Sequence, residues 1–338
     1  MNGTLRLLPE ESRQDAVLLS WPVRGMDWTD YLSEIHATYE AIVRALLRFV
    51  DVVLITPPDS EFRESFLQEM RQSPHTLYRI SGIDLNDTWI RDYGPLCLVG
   101  DSGQKMVVDY AFNGWGGKFE ADRDNAFTRR FHEAGFFSEN VVYRDCRDFV
   151  FEGGAIDVSG SGCGLTTASV LEYPGRNDLS RASQVLRLMR DLGLRDFYVL
   201  TIDPLPGDDT DGHVDTMVRF LSDSEIVTCV PLDPDEEALL TKKYTIRHLP
   251  MPNPILWDGE VKPATYANFL ITNGAILVPT YGDPVHDKEA LEIIRSLSDQ
   301  REVVGIDCRV LVRQNGSLHC ATMQIPEGFL DKSKLTKA

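Results

Sequence analysis

The sequence lacks any long apolar segment and any closely spaced pair of cysteines. No run of about 18 apolar residues occurs, which argues against a membrane-spanning helix. The N-terminal stretch MNGTLRLLPEESRQDA has no basic start followed by an apolar run, so we expect no secretory signal. The six cysteines form no CxxC motif and are too sparse for a disulfide framework, which favours a reducing cytoplasm as the compartment.

Positive charge is also scarce. Lys and Arg together number 34 against 52 Asp and Glu, which gives a net charge of -18. Such a surface repels phosphate backbones and anionic membranes, so we expect neither nucleic acid nor a membrane as a partner. The same surface attracts small cations.

The pattern of apolar residues predicts an α/β fold. With 43% hydrophobic and 25% charged residues, the chain of 338 residues has the composition of a folded protein. Short apolar strands alternate with helical patterns, and apolar residues between Trp28 and Leu46 recur at three- and four-residue spacing, as on one face of a helix. No linker rich in Gly, Ser or Pro divides the chain. We therefore expect one domain over residues 1–330 and a charged tail over 331–338.

Two of four polar clusters interrupt this pattern in the first half of the chain. NDTWIRDYGP, residues 86–95, places charges on both sides of a Trp, and taken alone this cluster favours a capped surface turn closed by Gly94-Pro95. FEGGAI, residues 151–156, places a carboxylate before two glycines. This segment is either a hairpin bend with a solvated Glu or a place where backbone and ligand approach closely.

The other two clusters lie in the second half. DDTDGHVD, residues 208–215, has a high density of carboxylates around His213 and leads into the predicted strand VDTMVRFL. Strand geometry would put His213 and Asp215 on one face. An acidic surface loop is the alternative. NGSLHCAT, residues 315–322, contains Cys320, which on its own is either a small buried residue or a nucleophile.

A divalent metal site competes with these interpretations. Asp208, Asp209, Asp211, His213, Asp215 and Glu152 are the candidate ligands. No HxH, HExxH or paired-Cys spacing occurs, and the acidic run lacks the spacing of an EF-hand loop. We therefore expect no metal and no other cofactor, and keep a metal as the secondary hypothesis.

In this chain order the clusters resemble the guanidine-modifying enzymes, above all the agmatine deiminase family with its Porphyromonas-type peptidylarginine deiminases. The resemblance extends from Trp21-Pro22 to Pro326. The stretches that carry it are NDTWIRDYGP, FNGWGGK, FEGGAID, TDGHVD, YANFLITNGAILVPTYGDPVHD, VVGID and SLHCATMQ. Any one of them is modest evidence, whereas seven in order are specific.

The resemblance implies a fold and a setting for the chain. The fold is a five-bladed, pseudo-symmetric α/β propeller of the pentein type, a single domain with its active site on the central axis. The length fits, because five blades would take about 65 residues each. The resemblance further implies a cytoplasmic enzyme of polyamine (putrescine) biosynthesis. It also allows a homo-oligomer, since family members are often dimers or larger.

The resemblance also implies the roles of individual residues. Cys320 matches the nucleophile, His213 the general acid/base, and Glu152 the carboxylate that orients this His. Asp92 and Asp215 match the aspartates that bind the guanidinium, and Trp89 matches an aromatic residue that stacks beside the substrate. Asp209 is our candidate for receiving the terminal ammonium of agmatine, and Trp115 for walling the channel.

The implied reaction converts agmatine and water to N-carbamoylputrescine and ammonia through a covalent amidino-thioether on Cys320. The substrate is a small cationic guanidino compound, and the acidic chain favours a dication over zwitterionic arginine. Deimination of peptidyl-arginine or free arginine at the same site is one alternative. An amidinotransferase is a second, and a non-catalytic binder of cationic ligands is a third.

Overall fold

The structure is a computed structural model that describes residues 5–298 and 300–338. The strands are β1 (Leu5–Leu7), β2 (Gln14–Ser20), β3 (Asp51–Thr56), β4 (Leu77–Ser81), β5 (Leu96–Gly100), β6 (Lys105–Ala111), β7 (Val141–Val150), β8 (Asp157–Val158), β9 (Cys163–Thr167), β10 (Asp196–Leu200), β11 (Val218–Ser222), β12 (Glu225–Thr228), β13 (Thr245–His248), β14 (Ile255–Trp257), β15 (Glu260–Lys262), β16 (Leu270–Thr272), β17 (Ala275–Thr280), β18 (Glu302–Asp307), β19 (Thr322–Pro326) and β20 (Thr336–Lys337). The helices are α1 (Leu32–Leu46), α2 (Glu64–Met70), α3 (Ile90–Tyr93), α4 (Gly114–Gly117), α5 (Phe127–Glu133), α6 (Ala168–Glu172), α7 (Arg181–Leu192), α8 (Pro234–Leu240) and α9 (Pro284–Leu297).

Helix α1 has the apolar face that the sequence predicts. Its buried side chains include Ile35, Tyr39, Ile42 and Leu46, which follow one another at three- and four-residue spacing. The expected start at Trp28 is early, because a short 3-10 turn over Thr29–Tyr31 precedes the helix. The long helix therefore packs one stripe into the core, as its sequence pattern requires.

Five sheets share one strand pattern. In each of them a strand pairs antiparallel with a second strand, and the second pairs parallel with a third. The five sets are β5-β6-β7, β8-β9-β10, β11-β12-β13, β16-β17-β18 and β19-β2-β3. This repetition is not visible in the amino-acid sequence.

The two ends of the chain meet in the fifth sheet. Its strand order is β19-β2-β3-β4-β20, so C-terminal strands flank N-terminal ones. The segment that we expected to be a charged tail contributes β20, which pairs with Tyr78 and Arg79 of β4, and Leu335 is buried. A few ordered backbone hydrogen bonds thus hold these last residues against the sheet.

The fold is mixed α/β, as the sequence predicts. No sheet closes on itself within the described residues, since each has two edge strands. The arrangement of the five sheets around one axis stays a prediction. In the same part of the chain, no helix is both long and apolar enough to cross a membrane.

Short turns between the sheets carry the polar clusters. Asp92 lies in α3, Glu152 precedes a 3-10 turn over Gly153–Ala155, and Asp215 lies in a 3-10 turn over Val214–Thr216. The turn after Glu152 contacts both α3 and the turn that holds Asp215. The backbone alone therefore brings together segments that are remote in sequence.

Candidate active site

One cavity of about 80 Å³ brings together residues from five parts of the chain. Its lining residues are Asp27, Asp87, Trp89, Asp92, Trp115, Phe119, Asp209, Thr210, Thr216, Gln314, Asn315, Gly316 and Cys320. Among the described residues in this lining, several are carboxylates and none is a lysine or an arginine. The cavity is therefore suited to a cationic ligand with an apolar or planar portion.

Cys320 is buried at this cavity and held by an amide. The Asn268 side-chain amide donates to its sulfur at 3.3 Å, and Sγ lies 3.9 Å from Asp215 Oδ2. Burial raises the pKa of the Cys320 thiol well above its usual value, and the charges of Asp215 and Asp92 raise it further. The empty site therefore favours the thiol over the thiolate.

Asp92 is buried and fixed by two donors. The indole Nε1 of Trp115 donates to Oδ2, and the backbone N–H of Gly154 donates to Oδ1, each at 2.9 Å. The pKa of Asp92 is raised, chiefly by burial. The charge of His213 opposes this shift, and the charge of Asp215 adds to it. Trp115 thus both walls the cavity and orients a carboxylate, and its backbone has a φ of 55°, which is unusual for a bulky residue.

Gly154 lies where the polar side chains meet. A Cβ atom at this position would lie 2.6 Å from His213 Nδ1, 2.7 Å from Asp92 Oδ1 and 3.1 Å from Asp215 Oδ2. No side chain other than hydrogen fits at those distances. The glycine of the FEGGAI cluster is therefore what lets three functional groups approach one another.

The expected role of Glu152 in orienting His213 would require a hydrogen bond between the two side chains. Glu152 makes no such direct hydrogen bond. The two side chains are 3.9 Å apart between Oε2 and Nε2. Both oxygens of Glu152 instead accept from Nε of the buried Arg176, at 2.9 and 3.0 Å. Arg176 also donates to Asp211 and to the Thr210 carbonyl, so it ties Glu152 to the acidic loop.

His213 and Asp215 reach the site by a route other than the predicted strand. The strand VDTMVRFL begins only at Val218, because residues 214–216 form a 3-10 turn. The shared strand face that we expected for His213 and Asp215 is therefore wrong. The turn nevertheless buries both side chains, and His213 Nδ1 lies 3.5 Å from Asp92 Oδ1.

Asp215 is completely buried, and its two oxygens differ. Oδ2 lies 2.6 Å from Nδ1 of His319, whereas Oδ1 has no hydrogen-bond partner among the described residues. Burial alone would raise the pKa of Asp215, but the hydrogen bond from His319 and the charges of His319 and His213 outweigh it, so the pKa is lowered. Asp215 therefore presents one unpaired, ionised oxygen.

Two further carboxylates of the cavity are half-buried. Burial raises the pKa of Asp209 to about 6 and that of Asp87 to about 7. Asn315 donates to Asp209 at 3.0 Å. Both groups are therefore partly protonated near neutral pH and would ionise more readily beside a bound cation.

The candidate metal ligands do not form a cluster. Within residues 5–298 and 300–338, no group of three or more His, Cys, Asp or Glu side chains is arranged to hold a metal ion. The acidic loop is instead organised internally, because Asp208 accepts from the backbone of Thr210 and of Gly212.

Comparison with known proteins gives the family. The family model that matches is that of Porphyromonas-type peptidyl-arginine deiminase, over residues 6–326. The chain belongs to this deiminase family. The resemblance noted from the sequence motifs is confirmed.

Solved structures of similar proteins cover nearly the whole chain. A Porphyromonas gingivalis protein provisionally named an arginine deiminase is 40% identical, with a TM-score of 0.84 over 96% of this chain and 99% of that one. A Cys-to-Ser variant of the C. jejuni agmatine deiminase, solved with substrate bound, is 32% identical, with a TM-score of 0.83 over 96% and 97%. A curated Shewanella baltica relative, provisionally named an agmatine deiminase, is 29% identical over 94% of this chain and 93% of its own length.

A more distant similarity concerns the fold alone. The dimethylarginine dimethylaminohydrolase of Pseudomonas aeruginosa is 16% identical, with a TM-score of 0.53 over 93% of this chain and 100% of that one. The two chains thus share their mixed α/β fold.

The motifs did not identify several residues that complete the site. Glu10, Asp27, Asp87, Asn268 and Arg176 were not predicted. Asp87 and Asn268 lie inside stretches that carried the resemblance, so their position was a usable signal. Glu10 and Asp27 lie in segments without any motif, and nothing in their local sequence distinguishes them from surface acids. Arg176 lies in a Pro-Gly-Arg-Asn turn that reads as an ordinary loop.

Proposed function

We propose that the chain is a guanidine deiminase that converts agmatine and water to N-carbamoylputrescine and ammonia through a covalent intermediate on Cys320. The observation that carries this proposal is a buried thiol at a cavity lined by carboxylates, with no lysine or arginine among its described lining residues. A guanidinium is planar and permanently charged near neutral pH, so it needs carboxylates in its plane. The family relationship supports the same reaction class.

Binding rests on two aspartates and one aromatic ring. The free Oδ1 of Asp215 and the fixed carboxylate of Asp92 accept from the guanidinium nitrogens. Trp89 provides the aromatic face, and cation–π attraction adds about 0.5–2 kcal/mol. Asp209, at the same cavity, receives the terminal ammonium, and Trp115 forms a wall of the channel.

Chemistry then proceeds in two halves. The bound cation lowers the pKa of Cys320, whose thiol proton passes to His213, and the thiolate attacks the guanidinium carbon. The C–N bond breaks, and ammonia leaves with a proton from His213, so that an amidino-thioether remains. His213 next takes a proton from water, which attacks the same carbon. The C–S bond breaks, and a ureido product and the Cys320 thiol are released.

Mass spectrometry of the intact protein mixed with agmatine tests the proposal. We expect a transient amidino adduct on the peptide that contains Cys320, with ammonia and N-carbamoylputrescine in solution. A Cys320→Ala variant should give neither. Product formation by that variant would contradict the role of Cys320, and ammonia release without an acceptor amine would exclude an amidinotransferase.

Deimination of peptidyl-arginine is the second candidate. A neighbouring cavity of about 430 Å³ shares Asp27, Asp87, Trp115 and Phe119 with the proposed site. This space gives room for a substrate longer than agmatine. Parallel turnover of agmatine, free arginine and a peptide that ends in arginine separates the candidates, and faster turnover of the peptide would replace agmatine as the substrate.

Three further features belong to the proposal. The five sheets of like topology form the blades of one propeller around the site, and residues 1–330 form one domain, whose fifth sheet residues 331–338 extend with β20. We also propose homo-oligomerisation, a cytoplasmic location and a role in putrescine synthesis, which the family relationship supports.

A further inference from the structure

The ring of His319 lies between two buried carboxylates. Its Nδ1 is 2.6 Å from Asp215 Oδ2, and its Nε2 is 2.6 Å from Glu10 Oε2. Glu10 precedes His319 by 309 residues and comes from the segment between β1 and β2. The N-terminal segment therefore reaches the residue next to the proposed nucleophile.

Each of these two short contacts needs a proton between the ring nitrogen and the carboxylate oxygen. A neutral imidazole has one N–H and one acceptor nitrogen, whereas an imidazolium donates from both. An ionised carboxylate only accepts. Either the ring carries both protons, or one of the two acids is protonated.

The other partners of Glu10 decide between these states. Arg219 donates to Oε2 at 2.8 Å, the backbone N–H of Ile271 donates to Oε1 at 2.6 Å, and Arg91 lies 3.9 Å from Oε2. Two arginines and a backbone donor hold Glu10 ionised, because a protonated Glu10 would leave buried cations uncompensated. The extra proton therefore lies on the ring of His319 or on Asp215. Burial alone would raise the pKa of Asp215, but the hydrogen bond from His319 and the charges of His319 and His213 lower it, so Asp215 stays ionised and the proton belongs to the ring.

With His319 as an imidazolium, three anions face three cations around the ring. The anions are Glu10, Asp215 and Asp157, which accepts from Arg219 Nε at 3.0 Å. The cations are Arg91, Arg219 and an imidazolium at His319. On the far side of Asp215 lie Asp92, His213 and Cys320, the remaining titratable groups that face it.

We propose that Glu10 is a positioning residue that keeps His319 an imidazolium and, through it, keeps Asp215 ionised with Oδ1 free for the guanidinium. Glu10 does not touch the substrate. The role assigned to Asp215 rests on the proposed function, whereas the protonation of His319 does not.

Histidine NMR of the wild-type protein tests the protonation state without any activity assay. In ¹⁵N-histidine-labelled protein, we expect both ring nitrogens of His319 to be protonated at neutral pH. The His319→Asn variant assigns the signal. A single neutral tautomer at neutral pH would overturn the proposal. If an imidazolium is found but agmatine is not turned over, the proposed function fails and the protonation of His319 stands.

Kinetics of Glu10→Gln test the consequence for the site. Glu11→Gln is the matched control, because the adjacent Glu11 has a partly exposed side chain that lies 3.8 Å from Arg301. We expect Glu10→Gln to lower kcat/KM about 10- to 100-fold, as for other groups that orient a functional histidine. The acidic limb of its pH profile should move to higher pH. Without Glu10 the ring of His319 loses its positive charge, and Asp215 is then protonated more easily. A loss of activity with an unmoved limb would indicate a merely structural role and contradict the proposal.

Discussion

Gly154 lies where any side chain would fill the site. A Gly154→Ala variant would place a methyl group within 2.7 Å of both His213 Nδ1 and Asp92 Oδ1. We expect a fall in kcat of about 100-fold or more, because a displacement of about 1 Å in a catalytic group costs that much.

The control for this variant is Gly100→Ala, where the added Cβ would lie too close only to the flexible end of Gln104 and would make an ordinary contact with Leu5 at 3.4 Å. Steady-state assays and thermal melting of both variants separate a local effect from a global one. Wild-type turnover in Gly154→Ala would mean that the three groups do not act together.

Cys320 is expected to be a slow nucleophile until a cation binds. Burial and the two aspartates raise the pKa of its thiol, and a guanidinium beside it opposes them. The rate of alkylation of the Cys320 peptide against pH should therefore have its inflection well above the ordinary cysteine range. Guanidinium ion at a non-denaturing concentration should lower it, whereas sodium chloride of equal ionic strength should not. An inflection already low in the empty protein, and unchanged by guanidinium, would refute this activation.

At the scale of elements, Arg176 joins two loops that the proposed chemistry needs together. Its buried guanidinium contacts Glu152 on one loop and Asp211 on the other. We expect Arg176→Gln to lower the free energy of unfolding by about 3–5 kcal/mol, because it leaves the buried Glu152 without its cation, whereas Asp211 keeps Lys118. Urea denaturation measures this change.

Arg181→Gln is the matched control for that variant. Arg181 pairs with Glu172 at 3.2 Å, and about half of each side chain is exposed. Solvent screens this pair, so we expect a loss of about 0–1 kcal/mol. Equal losses in the two variants would show that Arg176 does not hold the loops.

The acidic loop illustrates how tertiary contacts override a local pattern. The alternation in VDTMVRFL predicts a strand from residue 214, yet that strand begins at Val218. Asp211 and Gly212 have positive φ angles, and the hydroxyl of Thr216 bonds to the His213 carbonyl. These local bonds favour a turn, which in turn points a carboxylate and an imidazole into the same interior.

For the whole molecule, the affinity for a dication should rise with pH. Asp87 and Asp209 have pKa values raised to about 7 and about 6, so acid protonates them and removes the charges that attract the ligand. The KM for agmatine should therefore fall as the pH rises through about 6 to 7. Butylguanidine, which lacks the terminal ammonium, should show a weaker pH dependence. A flat KM for agmatine over this interval would rule out Asp209 as the ligand of the ammonium and Asp87 as a charge that attracts it.

Asp87 and Asp215 affect the pH dependence of stability in opposite directions. A carboxyl with a raised pKa, such as that of Asp87, stays protonated in the folded state, so its contribution to stability falls as the pH rises towards about 7. Asp215 has a lowered pKa, so its contribution is present above the ordinary range of an aspartate and is lost as acid protonates it. The balance between such groups sets the pH of greatest stability.

The sequence by itself determined the α/β class, the buried face of α1, the excess of negative charge and the family. These properties depend on residue type, spacing and motif order, which are local and survive without coordinates. Only the tertiary structure decided the five like sheets, the pairing of Glu152 with Arg176 rather than His213, and the contact between Glu10 and His319. Such contacts join strand ends and turns far apart along the chain, and no local periodicity records which of them will meet.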